Sequence, residues 1–284
     1  MLKNFFEKDA SDRVSAIKIR WRRLVHFFFK DTGIRFTILN GIKYYAYSDW
    51  VGTDRVLYGS FDTREVKFLS SCLKPGMICI DVGAHYGFYT LHMARLVKNA
   101  GKVIACEPSK KNRNKLERNV LTNSFNQVVI LPSAISNKKG TASLFFNSYN
   151  TGGNTLLHQH STCYKEQTKV DVETLDDVVS NLKISRLDFI KVDVEGNEYA
   201  VLGGAVETIR TFLPVILIEL WEVYQKPWGE QLQSENSITE FLLRFGYLWY
   251  TISDTGTPVL VKKGEVRAQN NYLAIHPNKT ILFE

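Results

Sequence analysis

Two apolar runs, each closed by a carboxylate, constrain this chain more than any other feature. The first is Ile78-Cys-Ile-Asp-Val-Gly-Ala-His-Tyr-Gly87, where Asp81 precedes a glycine-bearing turn and a helical pattern. The second, Val103-Ile-Ala-Cys-Glu-Pro108, follows about one βα unit later and ends in Glu107. Continuous apolar runs of this kind are strands buried on both faces, and ligands of such sheets sit outside the carboxyl ends of the strands. The alternation continues along the chain. Strand-like runs at 77–81, 102–107, 127–131, 187–193 and 214–219 enclose helical patterns at 88–98, 109–122 and 197–211. This predicts an α/β domain with a mostly parallel central sheet covered on both faces. A helix over 238–245, stopped by Gly246, precedes strand-like runs at 247–253 and 271–276, expected to form an antiparallel C-terminal end.

Upstream of this core the pattern differs. Arg13, Lys18, Arg20, Arg22, Arg23 and Lys30 interleave with Val14, Ile17, Trp21, Leu24, Val25 and Phe28, which predicts a basic amphipathic helix. Such a helix docks on its own domain, on a partner or on a membrane surface. Asn40-Gly41 between two apolar runs signals a two-residue β-hairpin. Residues 62–72 read as a helix with Asp62 as its cap, closed by Leu73-Lys-Pro-Gly76. The expected division is an N-terminal helical and hairpin extension over 1–73 and the α/β domain over 74–284. Residues 137–146 read as a turn and a short extra strand, and 147–167 as a polar loop of a length that is often functional.

Composition excludes few function classes. The net charge of +7 leaves an acidic partner open, but no recognised nucleic-acid module is visible. No apolar run approaches the roughly 20 residues that span a bilayer. Asp9 and Asp12 interrupt any secretory signal. Cys72, Cys79, Cys106 and Cys163 lack metal-ligand spacing, which fits a reducing cytoplasm, with the membrane surface reachable through the basic helix.

The glycines at 83 and 87 depart from the G-x-G-x-x-G of a dinucleotide site, and Asp81 would repel a pyrophosphate. S-adenosylmethionine carries a sulfonium, an ammonium and no phosphate, so an acid is welcome there. Glu107 can grip two ribose hydroxyls, and Ser133-Ala134, after the third strand, can meet the adenine amine. The pattern therefore favours a methyltransferase over a dehydrogenase. A third cluster, Lys191-Val-Asp-Val-Glu-Gly-Asn-Glu198, would bring Asp193 and Glu195 to the same crevice as a general base, metal site or hydroxyl clamp. Glu198 is expected to serve the start of the following helix. Glu219 closes another buried run, and Trp221, Tyr224 and Trp228 follow it. His85 sits in the glycine turn; His158 and His160 lie in the long loop.

Together these residues resemble the FkbM family of S-adenosylmethionine-dependent methyltransferases over roughly 74–222. The resemblance rests on Asp81-Val-Gly-Ala-His-Tyr-Gly-Phe-Tyr-Thr90, Glu107-Pro-Ser109, Ala134-Ile-Ser136, Val172-Glu-Thr-Leu-Asp-Asp177 and Ile190-Lys-Val-Asp-Val-Glu-Gly-Asn-Glu198. The last is the most specific, because cofactor binding alone does not require it. The resemblance implies a Rossmann-like fold and methylation of hydroxyls on glycans, polyketides or other natural products. It also implies a cofactor site from Asp81, Gly83, Ala84, His85, Gly87, Thr90, Glu107, Pro108, Ser133, Ala134 and Asp193. This chain has His85 where family members often carry Asn.

The expected reaction is O-methylation of a sugar hydroxyl in a glycan, glycolipid or related natural product. Asp193 is the expected base, Glu195 or Glu219 its helper, and His85 a further candidate. No residue pattern commits to a metal, so dependence on a divalent ion is left open, as is the oligomeric state. The competing readings are an RNA methyltransferase and a non-catalytic adaptor that keeps the fold.

Overall fold

The computed structural model describes residues 34–47, 49, 51–148, 150–157, 164–220, 235–261 and 270–279. The basic segment, the loop histidines, Cys163 and the aromatic residues 221–228 lie outside the described residues. The chain divides into two compact units, Met1–Phe61 and Asp62–Glu284.

In the first unit, β1 (Ile34–Leu39) and β2 (Ile42–Tyr47) pair antiparallel around Asn40-Gly41. Both turn residues have positive φ, 50° and 74°, the geometry that brings Asn-Gly to two-residue hairpins. Alternation buries Leu39, Ile42 and Tyr44 on one face and exposes Phe36 and Ile38 on the other. A short helix, α1 (Thr53–Tyr58), adds Val56 and Leu57 to the buried side.

The second unit begins with α2 (Thr63–Cys72). The division thus falls after Phe61, earlier than after Leu73, because Phe68, Leu69, Cys72 and Leu73 belong to the sheet's core. Asp62 stands at the helix start but does not cap it. Its φ is 43°, and its carboxylate accepts from Tyr89 Oη at 2.7 Å.

The α/β alternation then runs β3 (Ile78–Val82), α3 (Phe88–Val97), β4 (Lys102–Cys106), α4 (Lys110–Thr122) and β5 (Val128–Leu131). An insertion follows, formed by β6 (Ala134–Ile135), β7 (Gly140–Asn147) and β8 (Tyr164–Glu173) as a small separate sheet. The expected loop over 147–167 is therefore partly strand; only its middle is irregular. After α5 (Leu175–Asn181) comes β9 (Phe189–Val192).

The helix expected over 197–211 is two helices, α6 (Glu198–Gly203) and α7 (Val206–Phe212). The break lies where Gly204 passes Ser136: a Cβ there would stand 2.1 Å from the Ser136 carbonyl oxygen. β10 (Val215–Leu220), α8 (Glu235–Leu243), β11 (Leu248–Ile252), β12 (Pro258–Leu260) and β13 (Asn270–Ile275) complete the unit. β12, a hairpin partner of β11 at the sheet edge, has no counterpart in the sequence expectation.

The main sheet has the order β12-β11-β13-β10-β9-β3-β4-β5. The five strands from β10 to β5 are parallel, and β13, β11 and β12 are antiparallel additions. This is the α/β architecture expected from sequence, with the mixed C-terminal end. Strand alternation sends Ile80, Ile104, Ile190 and Ile216 to the face covered by α5 to α8, and Cys79, Val103, Phe189 and Val215 to the face of α2 and α3. The chain leaves β3 toward β5 and returns to its other side at β9. That reversal opens a crevice at the carboxyl ends of β3 and β9, the usual ligand position in open α/β sheets.

Candidate active site

At the crevice, β3 and β9 are held edge to edge beyond their last paired residues. Asp193 N donates to Val82 O at 3.0 Å, and Gly83 N and Ala84 N both donate to Cys106 O. Gly83 has φ +86°, and a Cβ on it would lie 1.8 Å from Asp193 O, so this turn admits only glycine. The turn continues through His85, also left-handed at φ 51°, into Gly87 at the start of α3.

A cleft opens here. Of the residues expected at the site, Gly83, His85, Glu107, Pro108, Ser133, Ala134, Asp193 and Glu195 line it. Asp81, Ala84, Gly87 and Thr90 are buried and stand outside its lining. Asp81 accepts from Thr90 Oγ1 at 2.5 Å, and burial pushes its carboxyl up to about 6 against that bond and the Lys191 charge.

Glu107 is pinned by two backbone donors, His85 N at 2.8 Å on Oε2 and Ser109 N at 2.9 Å on Oε1. Burial nevertheless raises it to about 7. Each oxygen keeps a lone pair for a ligand. Ser133 donates to Glu173 Oε1 at 2.6 Å, which leaves its oxygen as an acceptor toward the cleft.

The second half of the site is a group of acids around Lys191. Alternation places Asp81, Lys191 and Glu219 on the α2 and α3 side of the sheet; Asp81 and Lys191 are paired across β3 and β9, and Glu219 lies two residues beyond Leu217, the β10 partner of Lys191. Lys191 is 1% exposed, with its ammonium 3.5 Å from Asp193 Oδ2 and 5.0 Å from the centre of the Tyr89 ring. Burial opposes its charge, but Asp193, Glu219, Asp62 and Asp81 outweigh burial and raise its pKa. Glu219 is hydrogen-bonded to Asp193 and is pushed well up, first by the Asp193 charge and then by burial. It meets the cleft only through Asp193.

Strand alternation does not extend to Glu195. β9 ends at Val192, and Glu195 takes φ 56° in a turn that aims it into the same cleft. Burial, then the charges of Asp193 and Glu219, raise Glu195 strongly. Glu198 organises that turn, accepting from Val194 N and Gly196 N, which agrees with its expected role at the start of α6.

The sequence expectation omits the roof. Residues 150–157 fold back along β7, where Phe145 and Thr155 exchange backbone hydrogen bonds. Thr151 Oγ1 meets His85 Nε2 at 3.2 Å and Tyr86 Oη at 2.5 Å, and its carbonyl accepts from Asn112 Nδ2 at 3.3 Å. Thr155 Oγ1 donates to Glu195 O at 2.9 Å. Asn112 was legible as a polar residue in helical phase with buried Leu116 and Asn119; Thr151 and Thr155 carried no comparable signal.

The donor set fits a cationic nucleoside cofactor and opposes a dinucleotide. Among the described residues the cleft is lined by the carboxyls of Glu107, Asp193 and Glu195 and by no Lys or Arg. Among the described residues no group of three or more His, Cys, Asp or Glu is arranged to hold a metal ion.

A sequence model of the FkbM methyltransferase domain matches residues 81–248, more than half of the chain. The chain belongs to the FkbM methyltransferase family. Among curated relatives of this FkbM chain, the methyltransferase sdnD of Sordaria araneosa is 30% identical over 211 residues, 61% of this chain and 81% of sdnD. The AMB antimetabolite synthetase AmbE of Pseudomonas aeruginosa is 23% identical over 209 residues, 62% of this chain but 10% of AmbE. A solved FkbM methyltransferase from Methylobacillus flagellatus KT is 15% identical with a TM-score of 0.45, covering 78% of this chain and 53% of that one.

Proposed function

We propose that this chain is an S-adenosylmethionine-dependent O-methyltransferase whose acceptor is a sugar hydroxyl in a glycan, glycolipid or related natural product. The observation that carries the proposal is the trio Asp193, Glu195 and Glu219 beside a phosphate-hostile nucleoside cleft. When bound, S-adenosylmethionine supplies an electrophilic methyl group on a sulfonium. Glu107 would hold its ribose, Ser133 and Ala134 would border the adenine, and Asp193 with the Gly83 turn would face its aminoacyl end.

A sugar hydroxyl is a poor nucleophile while protonated, so the chain must take its proton as the new bond forms. Burial and the Asp193 charge push Glu195 and Glu219 well above the usual carboxylate range. Asp193, 3.5 Å from the Lys191 ammonium and on the lining of the cleft, is the member of the trio placed to accept that proton. Glu195, kept neutral, can donate to a neighbouring hydroxyl and orient the ring. Orientation supplies much of the acceleration, because the thioether is already a good leaving group.

The test separates binding from chemistry. Asp193→Asn should lose about 10²–10⁴ in turnover on a sugar acceptor, a far larger loss than the fall in S-adenosylhomocysteine affinity that calorimetry reads when its charge beside the ammonium is removed. Glu107→Ala should show the reverse, losing mainly affinity. Normal turnover by Asp193→Asn would remove Asp193 as the base. Turnover on RNA but on no sugar acceptor would replace the acceptor class.

A further inference from the structure

The side chain of Asn112 carries an unfilled hydrogen bond at the wall of the cleft. It is 2% exposed and lines the cavity, and its Oδ1 has no partner. The orientation of the amide is not a free choice here. Nδ2 donates to the Thr151 carbonyl at 3.3 Å, and a carbonyl can only accept. Turning the amide over would press Oδ1 against that acceptor. Oδ1 is therefore committed to a partner that donates. Buried carbonyl oxygens are rarely left unpaired in native proteins, and leaving one so is costly.

We infer that Asn112 reads the ribose of the cofactor, its Oδ1 accepting a hydrogen bond from one ribose hydroxyl while Glu107 accepts from the other. The inference rests on the cofactor proposed above and deepens it. Position selects the ribose among the donors such a ligand offers. Asn112 sits on the first turn of α4, just after Glu107-Pro108 and Ser109, whose hydroxyl caps that helix by accepting from Asn112 N. The adenine amine belongs near Ser133 at the end of β5. The ammonium belongs near Asp193, across the crevice at the end of β9. Glu107 and Asn112 then form a pair of acceptors for a vicinal diol, and each is fixed from behind: Glu107 by two backbone N–H groups, Asn112 by the roof.

The contact also joins the nucleoside to the segment above it, because the same amide that accepts from the ribose donates to Thr151. A 2′- or 3′-deoxy nucleoside should thus lose the orphan oxygen's partner. A side chain without the amide should lose the preference for that hydroxyl.

The experiment is a cycle of protein and ligand changes. Calorimetry on the full chain measures S-adenosylhomocysteine and its 2′-deoxy and 3′-deoxy analogues against the wild type, Asn112→Ala and Asn112→Ser. Asn112→Ala should weaken S-adenosylhomocysteine by about tenfold, the size of one hydrogen bond. For the deoxy analogue that lacks the partner hydroxyl, the same substitution should cost less than twofold. Equal losses for all three nucleosides would make Asn112 a structural residue and overturn the inference, as would no loss at all.

A measurement without any variant guards against misfolding. The Asn112 side-chain amide resonances of the wild type should move with S-adenosylhomocysteine and stay in place with that one deoxy analogue. Movement with both analogues equal to that with the parent would overturn the assignment. A folded wild type that binds S-adenosylhomocysteine in neither experiment would bring down the cofactor reading itself, and this inference with it. Binding of the parent with no dependence on Asn112 brings down this inference alone.

Discussion

Lys191 is a buried cation that a hydrophobic strand would otherwise not tolerate, and the acids around it explain its presence. At 1% exposure its ammonium is kept charged by Asp193, Glu219, Asp62 and Asp81. Those acids in turn need the lysine, since burial raises Asp62 and Asp81 to about 6 even with the Lys191 charge opposing it. Lys191→Met would leave the group without its counter-charge, and removing one partner of a buried pair costs about 3–5 kcal/mol. The loss should depend on pH. At pH 5, Asp62 and Asp81 are largely protonated, so less uncompensated charge remains; at pH 8 they are ionised. Urea denaturation of Lys191→Met against wild type should show the larger gap at pH 8. A gap of equal size at both values would mean that the lysine contributes packing and not charge.

At the scale of elements, the roof over 150–157 ties the two halves of the cleft together. Its Thr151 end meets His85, Tyr86 and Asn112 on the nucleoside side, while Thr155 donates to Glu195 O on the acid side. Thr155→Val keeps the shape of a 1% exposed side chain and removes both that donor and the acceptor used by Leu157 N. It should cost about 1–3 kcal/mol of stability by thermal unfolding. Turnover should fall more than affinity for S-adenosylhomocysteine, because the lost bond holds the turn that aims Glu195. A fall in affinity alone would place the effect on the nucleoside side.

This roof is also where sequence reasoning stopped. The parallel strands were legible because burial on both faces writes continuous apolar runs, and Gly83 because only glycine passes Asp193 at that distance. Asp193 and Glu107 were legible because an acid at the end of such a run has few structural reasons to be there. Residues 147–167 show no such pattern. Their strand β8 is exposed along much of its length and pairs mainly with β7, so no two-sided burial marks it. The split between α6 and α7 was hidden for a different reason, since it depends on a contact with Ser136 nearly seventy residues away. Asp62, read as a cap from its position, was claimed instead by Tyr89 through tertiary packing.

For the whole molecule, the net charge of +7 and the acidity of the cleft pull in opposite directions, and the pH dependence of stability follows from the buried acids in and behind the cleft. Burial raises Asp62 and Asp81 from 3.8 to about 6, and Glu107 and Glu198 from 4.5 to about 7. An acid whose folded pKa is raised binds more protons in the folded state across that interval. Its contribution to stability is complete below the unfolded pKa and is lost as pH rises through the folded one. His92 works the other way: burial lowers it from 6.5 to about 4, so it opposes the acids between those values and has no effect above them. The four acids outnumber it, and above pH 6.5 its opposition is gone while Glu195 and Glu219, also raised, act in the same direction as the acids. The ligand-free protein should therefore melt several degrees lower at pH 8 than at pH 5.5. Glu107→Gln should flatten the part of that slope nearest pH 7. A cationic sulfonium placed in the cleft, which Glu107, Asp193 and Glu195 line, would compensate part of the charge that ionisation creates. The rise in Tm with S-adenosylmethionine should consequently grow between pH 5.5 and 8, and grow more than with uncharged-sulfur S-adenosylhomocysteine. Equal growth with both would show that the acids respond to burial of the nucleoside and not to the charge on sulfur.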